Sequence, residues 1–163
     1  MNVDLILETM NRCEVAYLLI GGVNFLLRHA PVLTYDIDLW IEDTEENLDR
    51  CREALGALGV EWGASETDWG PVAGKGPQWI RTQHVFCLTS PHGAIDIFRS
   101  VKGLPSWPAC RARAQPASTA AGVPYWGLAD ADMLECQLAL DEAERNQERI
   151  RVLRESLGRR HDG

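Results

Sequence analysis

The stretch Leu18 to Trp40, LLIGGVNFLLRHAPVLTYDIDLW, restricts the possible folds of this chain more than any other. It is preceded by Ala16 and Tyr17, and the apolar run Ala16 to Ile20 fits a buried strand. That strand stops at Gly21-Gly22, a turn that needs positive φ or close backbone approach. Val23 to His29 then reads as a short helix, closed by Pro31 because the residue before a proline avoids helical geometry. Thr34 to Ile41 alternates, with Ile37, Leu39 and Ile41 on one face and Asp36, Asp38 and Trp40 on the other. Aspartate is depleted in strands, so a pair of them inside one needs a reason. Their Cα atoms lie roughly 6–7 Å apart on one face, and the repulsion between the carboxylates has to be offset.

Mg²⁺ is the obvious counter-charge. It binds through one or two carboxylates plus substrate phosphates rather than inside an all-protein cage, so an Asp-x-Asp pair suits a metal–nucleotide site. Further along, His84 to Thr89 and Ala94 to Phe98 form a hairpin across Ser90–Gly93, and its second strand carries Asp96 on the face opposite Ile95 and Ile97. With Asp96, the pair Asp36/Asp38 becomes a clamp for two ions, one on a triphosphate and one on an attacking hydroxyl. Gly21 and Gly22 open the backbone to polyphosphate, the first amides of the Val23 helix point toward it, and Asn24 adds a side-chain donor. Phosphoryl-type transfer needs mainly positioning and charge neutralisation, so no nucleophilic Ser or Cys is required. Alone, a Gly-Gly after a strand is a turn and an Asp-x-Asp is a solvated edge strand. Together in one strand–turn–helix–strand unit, with a later strand aspartate, they read as an active site. His29, His84 and His92 lack metal-ligand spacing and read as structural or exposed. Arg145, Arg149, Arg151 and Arg154 read as a solvated helix face, with a phosphate grip as the lesser alternative.

The remainder supplies a frame. Val3 to Cys13 forms an amphipathic helix through Leu5, Ile6 and Met10, and Thr44 caps a second helix whose buried side is Leu48, Cys51, Leu55 and Leu58, ended by Gly59. The Trp- and Gly-rich segment 61–79 reads as a long functional or mobile loop, or equally as a twisted hairpin whose tryptophans complete the core. Val101 to Gly122 is read as loop with at most a short helix, and Pro124 to Trp126 as a further strand. A helix from Asp130 or Asp132 through Leu140, a last helix Asn146 to Leu157 and a frayed tail Gly158 to Gly163 complete the expectation. With 45 % apolar residues, the 163 positions suffice for one α/β domain: a mixed sheet with flanking helices over 1–126 and C-terminal helices over 127–158. The net charge of −8 disfavours a broad non-specific grip on nucleic acid, while leaving room for a local basic patch. Cys13, Cys51, Cys87, Cys110 and Cys136 have no Cys-x-x-Cys spacing and the first residues lack a basic leader, so reduced thiols and a cytoplasmic location are expected. No apolar run approaches the roughly 20 residues of a membrane span.

These residues resemble the nucleotidyltransferases of the DNA polymerase β-like superfamily. The resemblance rests on Gly21-Gly22 after an apolar strand, Asp36-Ile37-Asp38 after a short helix, and Asp96 on a later strand. It is nearest to the bacterial abortive-infection toxin (AbiE-type) branch, whose pattern Thr34-Tyr35-Asp36-Ile37-Asp38 matches in spacing; LADADMLECQLAL and Glu148-Arg149-Ile150 look like its C-terminal helices. The resemblance implies an enzyme that moves a nucleoside monophosphate from an NTP to an acceptor hydroxyl with Mg²⁺. Asp36, Asp38 and Asp96 would be the catalytic metal ligands, and Gly21, Gly22, Asn24 and Thr34 would seat the nucleotide. The implied acceptor is tRNA or another RNA, with a cognate antitoxin protein as partner. The Gly-Gly form is shared with the branch that adenylylates antibiotics, which keeps a small-molecule acceptor open. The chain departs from the pattern where Val32 stands for an arginine and Gln137 for a lysine, both phosphate contacts. These departures favour a third alternative, a non-catalytic binding or antitoxin-like protein, unless Lys75, Lys102 or Arg99 substitutes.

Overall fold

The computed structural model describes residues 1–161. The first helix, α1 (Val3–Arg12), is capped by Asn2, whose side chain accepts from the Leu5 amide. It leads into β1 (Tyr17–Ile20), and β1 passes straight into α2 (Gly21–Arg28). No separate turn divides them as the sequence suggests: Gly21 is already the first helical residue, at φ +66°. Strand β2 (Asp36–Ile41) starts two residues later than Thr34, and α3 (Glu45–Ala57) follows with Thr44 accepting from the Asn47 amide.

Segment 61–79 takes the hairpin alternative. Strands β3 (Glu61–Trp62) and β4 (Gly70–Pro71) pair antiparallel, short 3-10 turns follow, and Trp62 and Trp79 bury their rings against Phe86 at centroid distances of 5.3 and 5.2 Å. The expected hairpin β5 (Val85–Leu88) and β6 (Ala94–Phe98) is present. Residues 101–122 hold more than a loop: α4 (Trp107–Arg113) is followed by β7 (Gln115–Ser118), which pairs with β8 (Pro124–Gly127). Helix α5 (Asp130–Leu138) and helix α6 (Gln147–His161) end the described chain. The fraying expected from Gly158 does not hold up to His161; positions 162–163 lie outside the described residues.

The main sheet is mixed, in the order β5-β6-β2-β1-β8-β7. The β1–β2 pair is antiparallel, while β2–β6 and β1–β8 are parallel. Ile37, Leu39, Ile41, Ile95 and Ile97 face α1 and α3 in one apolar cluster with Ile6, Leu7, Met10 and Leu55. The opposite face is covered by a second cluster, in which Leu18, Ile20 and Trp40 meet Phe25 of α2, Cys110 of α4, Met133 of α5 and Leu153 of α6. The C-terminal helices thus roof the face of β2 that carries Asp36 and Asp38. No helix among the described residues is long and apolar enough to cross a membrane.

Candidate functional site

Alternation along β2 and β6 does the first part of the assembly. Asp36 and Asp38 point away from the Ile37–Leu39 face, Asp96 points away from Ile95 and Ile97, and the parallel register sets Asp38 directly abreast of Asp96. One carboxylate oxygen from each of the three aspartates lies within 4.8 Å of the others, and each residue is only partly exposed. Burial, then the charges of Asp36 and Asp96, push the Asp38 carboxyl up to about 7. Burial and Asp36 likewise push Asp96 up to about 6. Carboxylates that repel one another in a half-buried site are short of positive charge, and their hard oxygen donors fit Mg²⁺ or a cation like it. Cys87 sits across from Asp96 in the β5–β6 register, and burial followed by Asp96 pushes its thiol up, which disfavours a thiolate nucleophile here.

The second part is the entry into α2. A Cβ on Gly21 would lie 2.0 Å from Asp38 Oδ2, and one on Gly22 would lie 2.8 Å from Thr34 Oγ1 and 3.0 Å from Arg149 Nη2. Both glycines therefore let three chain segments converge on one point, and the amide of Gly22 acts on the Asp38 carboxylate, drawing its pKa down. Thr34 Oγ1 donates to the Asp36 carbonyl at 3.1 Å, fixing the approach to β2. Ile20 at the N-cap offers no side-chain acceptor, so apart from the Gly22 amide turned to Asp38 the first-turn amides of α2 meet no capping side chain. Asn24 does not serve as the donor expected from sequence. It is 0 % exposed, and its Nδ2 donates to the Leu128 carbonyl and Met133 Sδ, both at 3.1 Å, tying α2 to the segment before and within α5.

No protein-family model matches this chain, and no curated protein matches it. Its functional reading therefore rests on the chemistry the site itself displays.

The third part comes from the C-terminal helices. A cavity of about 260 Å³ opens beside Gly21 and Asp38 and is lined further by Phe98, Lys102, Gln137 and Arg149. Of the substitute cations considered from sequence, Lys75 is bound to Asp68 at 3.1 Å and Arg99 to Asp43 at 2.8 Å, so only Lys102 reaches this cavity. Val32 packs against the second apolar cluster, and Gln137 Oε1 accepts from the Asn146 amide at 2.9 Å. Arg149 is the residue that sequence reasoning placed on a solvated face and that the fold delivers to the site. The available signal was Leu153, four positions on and therefore on the same helix face, at 1 % exposure.

Proposed function

We propose that this protein is a nucleotidyltransferase of the polymerase β-like type, which moves a nucleoside monophosphate from an NTP to an acceptor hydroxyl. The observation that carries the reading is the in-register Asp38–Asp96 pair with Asp36, set against a helix N-terminus whose glycines let Asp38 and Arg149 approach it. Mg²⁺ held by the three aspartates would neutralise the triphosphate and lower the pKa of the acceptor hydroxyl. The chain's own groups do the rest. The first-turn amides of α2 beyond Gly22 would face the phosphates, and Gly21 and Gly22 let Asp38, Thr34 and Arg149 close on that helix start. In the reaction a bond forms between the acceptor oxygen and the α-phosphorus, and the bond from that phosphorus to its bridging oxygen breaks. Pyrophosphate departs with the electron pair. The hydroxyl proton passes to the ionised Asp96 carboxylate, which stands abreast of Asp38 and has a lone pair to accept it.

Two observations bear on the acceptor. The small-molecule alternative calls for a pocket lined by the tryptophans of segment 61–79, but Trp62 and Trp79 are committed to the core, and Trp69, 48 % exposed, does not line the cavity beside Asp38. Tyr35, immediately before Asp36, is 77 % exposed and offers a ring on which a nucleobase can stack. An RNA acceptor, as in the toxin-type branch, is the reading these favour. The test is incubation with Mg²⁺ and each α-labelled NTP in cell lysate, followed by separation of RNA, protein and small molecules. Label is expected in RNA and is expected to vanish with Asp38→Asn. Undiminished transfer by that variant would remove the assignment.

A further inference from the structure

We propose that Arg149 is the side chain that grips the polyphosphate of the nucleotide, and that Gln137 and Asn146 build the helix start that presents it. This proposal rests on the nucleotide-binding part of the reading above. Every group involved is in contact. Gln137 Oε1 accepts from the Asn146 amide at 2.9 Å, and Asn146 Oδ1 accepts from the Arg149 amide at 3.0 Å, an N-cap geometry that starts α6. The guanidinium then reaches across to α2. Its Nη2 would lie 3.0 Å from a Cβ on Gly22, and its Cζ stands 5.7 Å from the centre of the Phe25 ring, within cation–π range.

Among the described residues, Arg12, Arg111, Arg145, Arg154 and Arg159 share with Arg149 the lack of an acidic partner, but of these only Arg149 lines the cavity beside Asp38, and the remaining arginines are ion-paired. Arg151 binds Glu148 and Glu155, Arg113 binds Asp132, Arg28 and Arg160 bind Asp130, and Arg81 and Arg99 bind acidic partners on α3 and just before it. Arg149 Nε is buried and, among the described residues, has no hydrogen-bond partner. A planar guanidinium with an unused buried donor, lining the same cavity as Asp38 and Lys102, is suited to bidentate recognition of phosphate. A polyphosphate with its cation would complete the alternation of charge between guanidinium and triad.

Gln137 serves the start of α6 in a way a lysine there could not. A lysine at that position carries donors only and could not accept the Asn146 amide hydrogen. Glutamine accepts it, orders the start of α6, and the positive charge enters one helix later. Val32 meanwhile contributes packing to the second apolar cluster.

Calorimetric titration with inorganic tripolyphosphate and Mg²⁺, with NTP and Ca²⁺, and with the bare nucleoside tests this. Arg149→Ala should weaken both phosphate ligands by about 10–100-fold, the worth of hydrogen bonds to a charged group, and leave nucleoside binding unchanged. Arg149→Lys should recover part of the loss, since it restores charge without the fork, and it remains informative if the alanine variant melts early. Arg151→Ala, on the same helix but paired with Glu148 and Glu155, should bind as wild type. Equal phosphate affinity in wild type and Arg149→Ala would overturn the proposal and leave the nucleotidyltransferase reading intact. Absence of binding by wild type to any phosphate ligand would overturn both. Arg149-dependent phosphate binding without transfer in lysate would sustain the proposal and remove the transferase reading.

Discussion

Asp38 concentrates the conflict between stability and function. Its carboxylate is half-buried, flanked by Asp36 and Asp96, and pressed against Gly21, so its charged form is costly in the metal-free protein. Asp38→Asn keeps the shape and removes the charge. It is therefore expected to abolish transfer and, near pH 8 without metal, to raise Tm. A gain of 1 kcal/mol is worth roughly 2–4 °C at this chain length. A lowered Tm would mean that the charge is already compensated. Gly21→Ala makes the opposite case. The new Cβ meets Asp38 Oδ2 at 2.0 Å and φ is +66°, so the left-handed cost of about 1–2 kcal/mol adds to displacement of the carboxylate. A lower Tm and at least ~10-fold weaker Mn²⁺ binding by calorimetry are expected, the latter from one disturbed carboxylate. Normal metal affinity in Gly21→Ala would show that Asp38 is not a ligand.

At the scale of elements, α6 is held to α2 and α5 by one buried carboxylate. Asp130, 1 % exposed, accepts from Arg28, His29 and Ser156 at 2.9 Å each and from Arg160 at 3.3 Å. Burial raises its pKa, but the hydrogen bond from His29 and the Arg28 charge outweigh this and hold it below the ordinary carboxylate range. Removing one partner of such a network leaves the others uncompensated, so Asp130→Ala should cost about 3–5 kcal/mol by urea unfolding. Faster amide exchange should appear first in α6, and phosphate affinity should fall because Arg149 rides on that helix. Unchanged exchange in α6 would show that apolar packing alone holds it. This lock was not legible in sequence, because it joins residues far apart in the chain with no periodicity to mark them, and for Arg149 the sequence offered only the local hint of Leu153 and no sign of the distant site it reaches. The strand–helix–strand unit was legible, since alternation around Asp36 and Asp38 is local. Strand β7 was hidden for a different reason: Gln-Pro-Ala-Ser, an edge strand with a proline, has neither β-branched residues nor an apolar face. Segment 61–79 was ambiguous because the composition of a mobile loop and that of a Trp-filled hairpin coincide. The choice lay in the distant Phe86.

For the whole molecule, the triad links stability to pH and to metal. The folded pKa values of Asp38 and Asp96, about 7 and about 6, stand above the ordinary 3.8. Protonation therefore favours the folded state: the stabilisation is fully present below the unfolded pKa and is lost as pH rises through about 6 and then about 7. Asp130, Glu45, Asp68 and Glu148 have lowered folded values, so their contributions change only below the ordinary carboxylate range and leave this window undisturbed. In EDTA, the Asp38 and Asp96 contribution should make Tm fall between about pH 5 and about pH 8. Millimolar Mg²⁺ should do little at the acid end, where protons hold the triad, and should restore Tm at the alkaline end, where the cation binds the ionised folded state. Asp38→Asn should remove the part of the EDTA fall that runs up to about pH 7, leave the part due to Asp96, and blunt the Mg²⁺ effect, because Asp38 contributes to both. Melting curves across this range, with and without metal, measure all three. A wild-type profile that is flat in EDTA would remove the charge conflict on which the metal assignment depends. A pH slope that Mg²⁺ leaves untouched would keep the conflict and reject the cation.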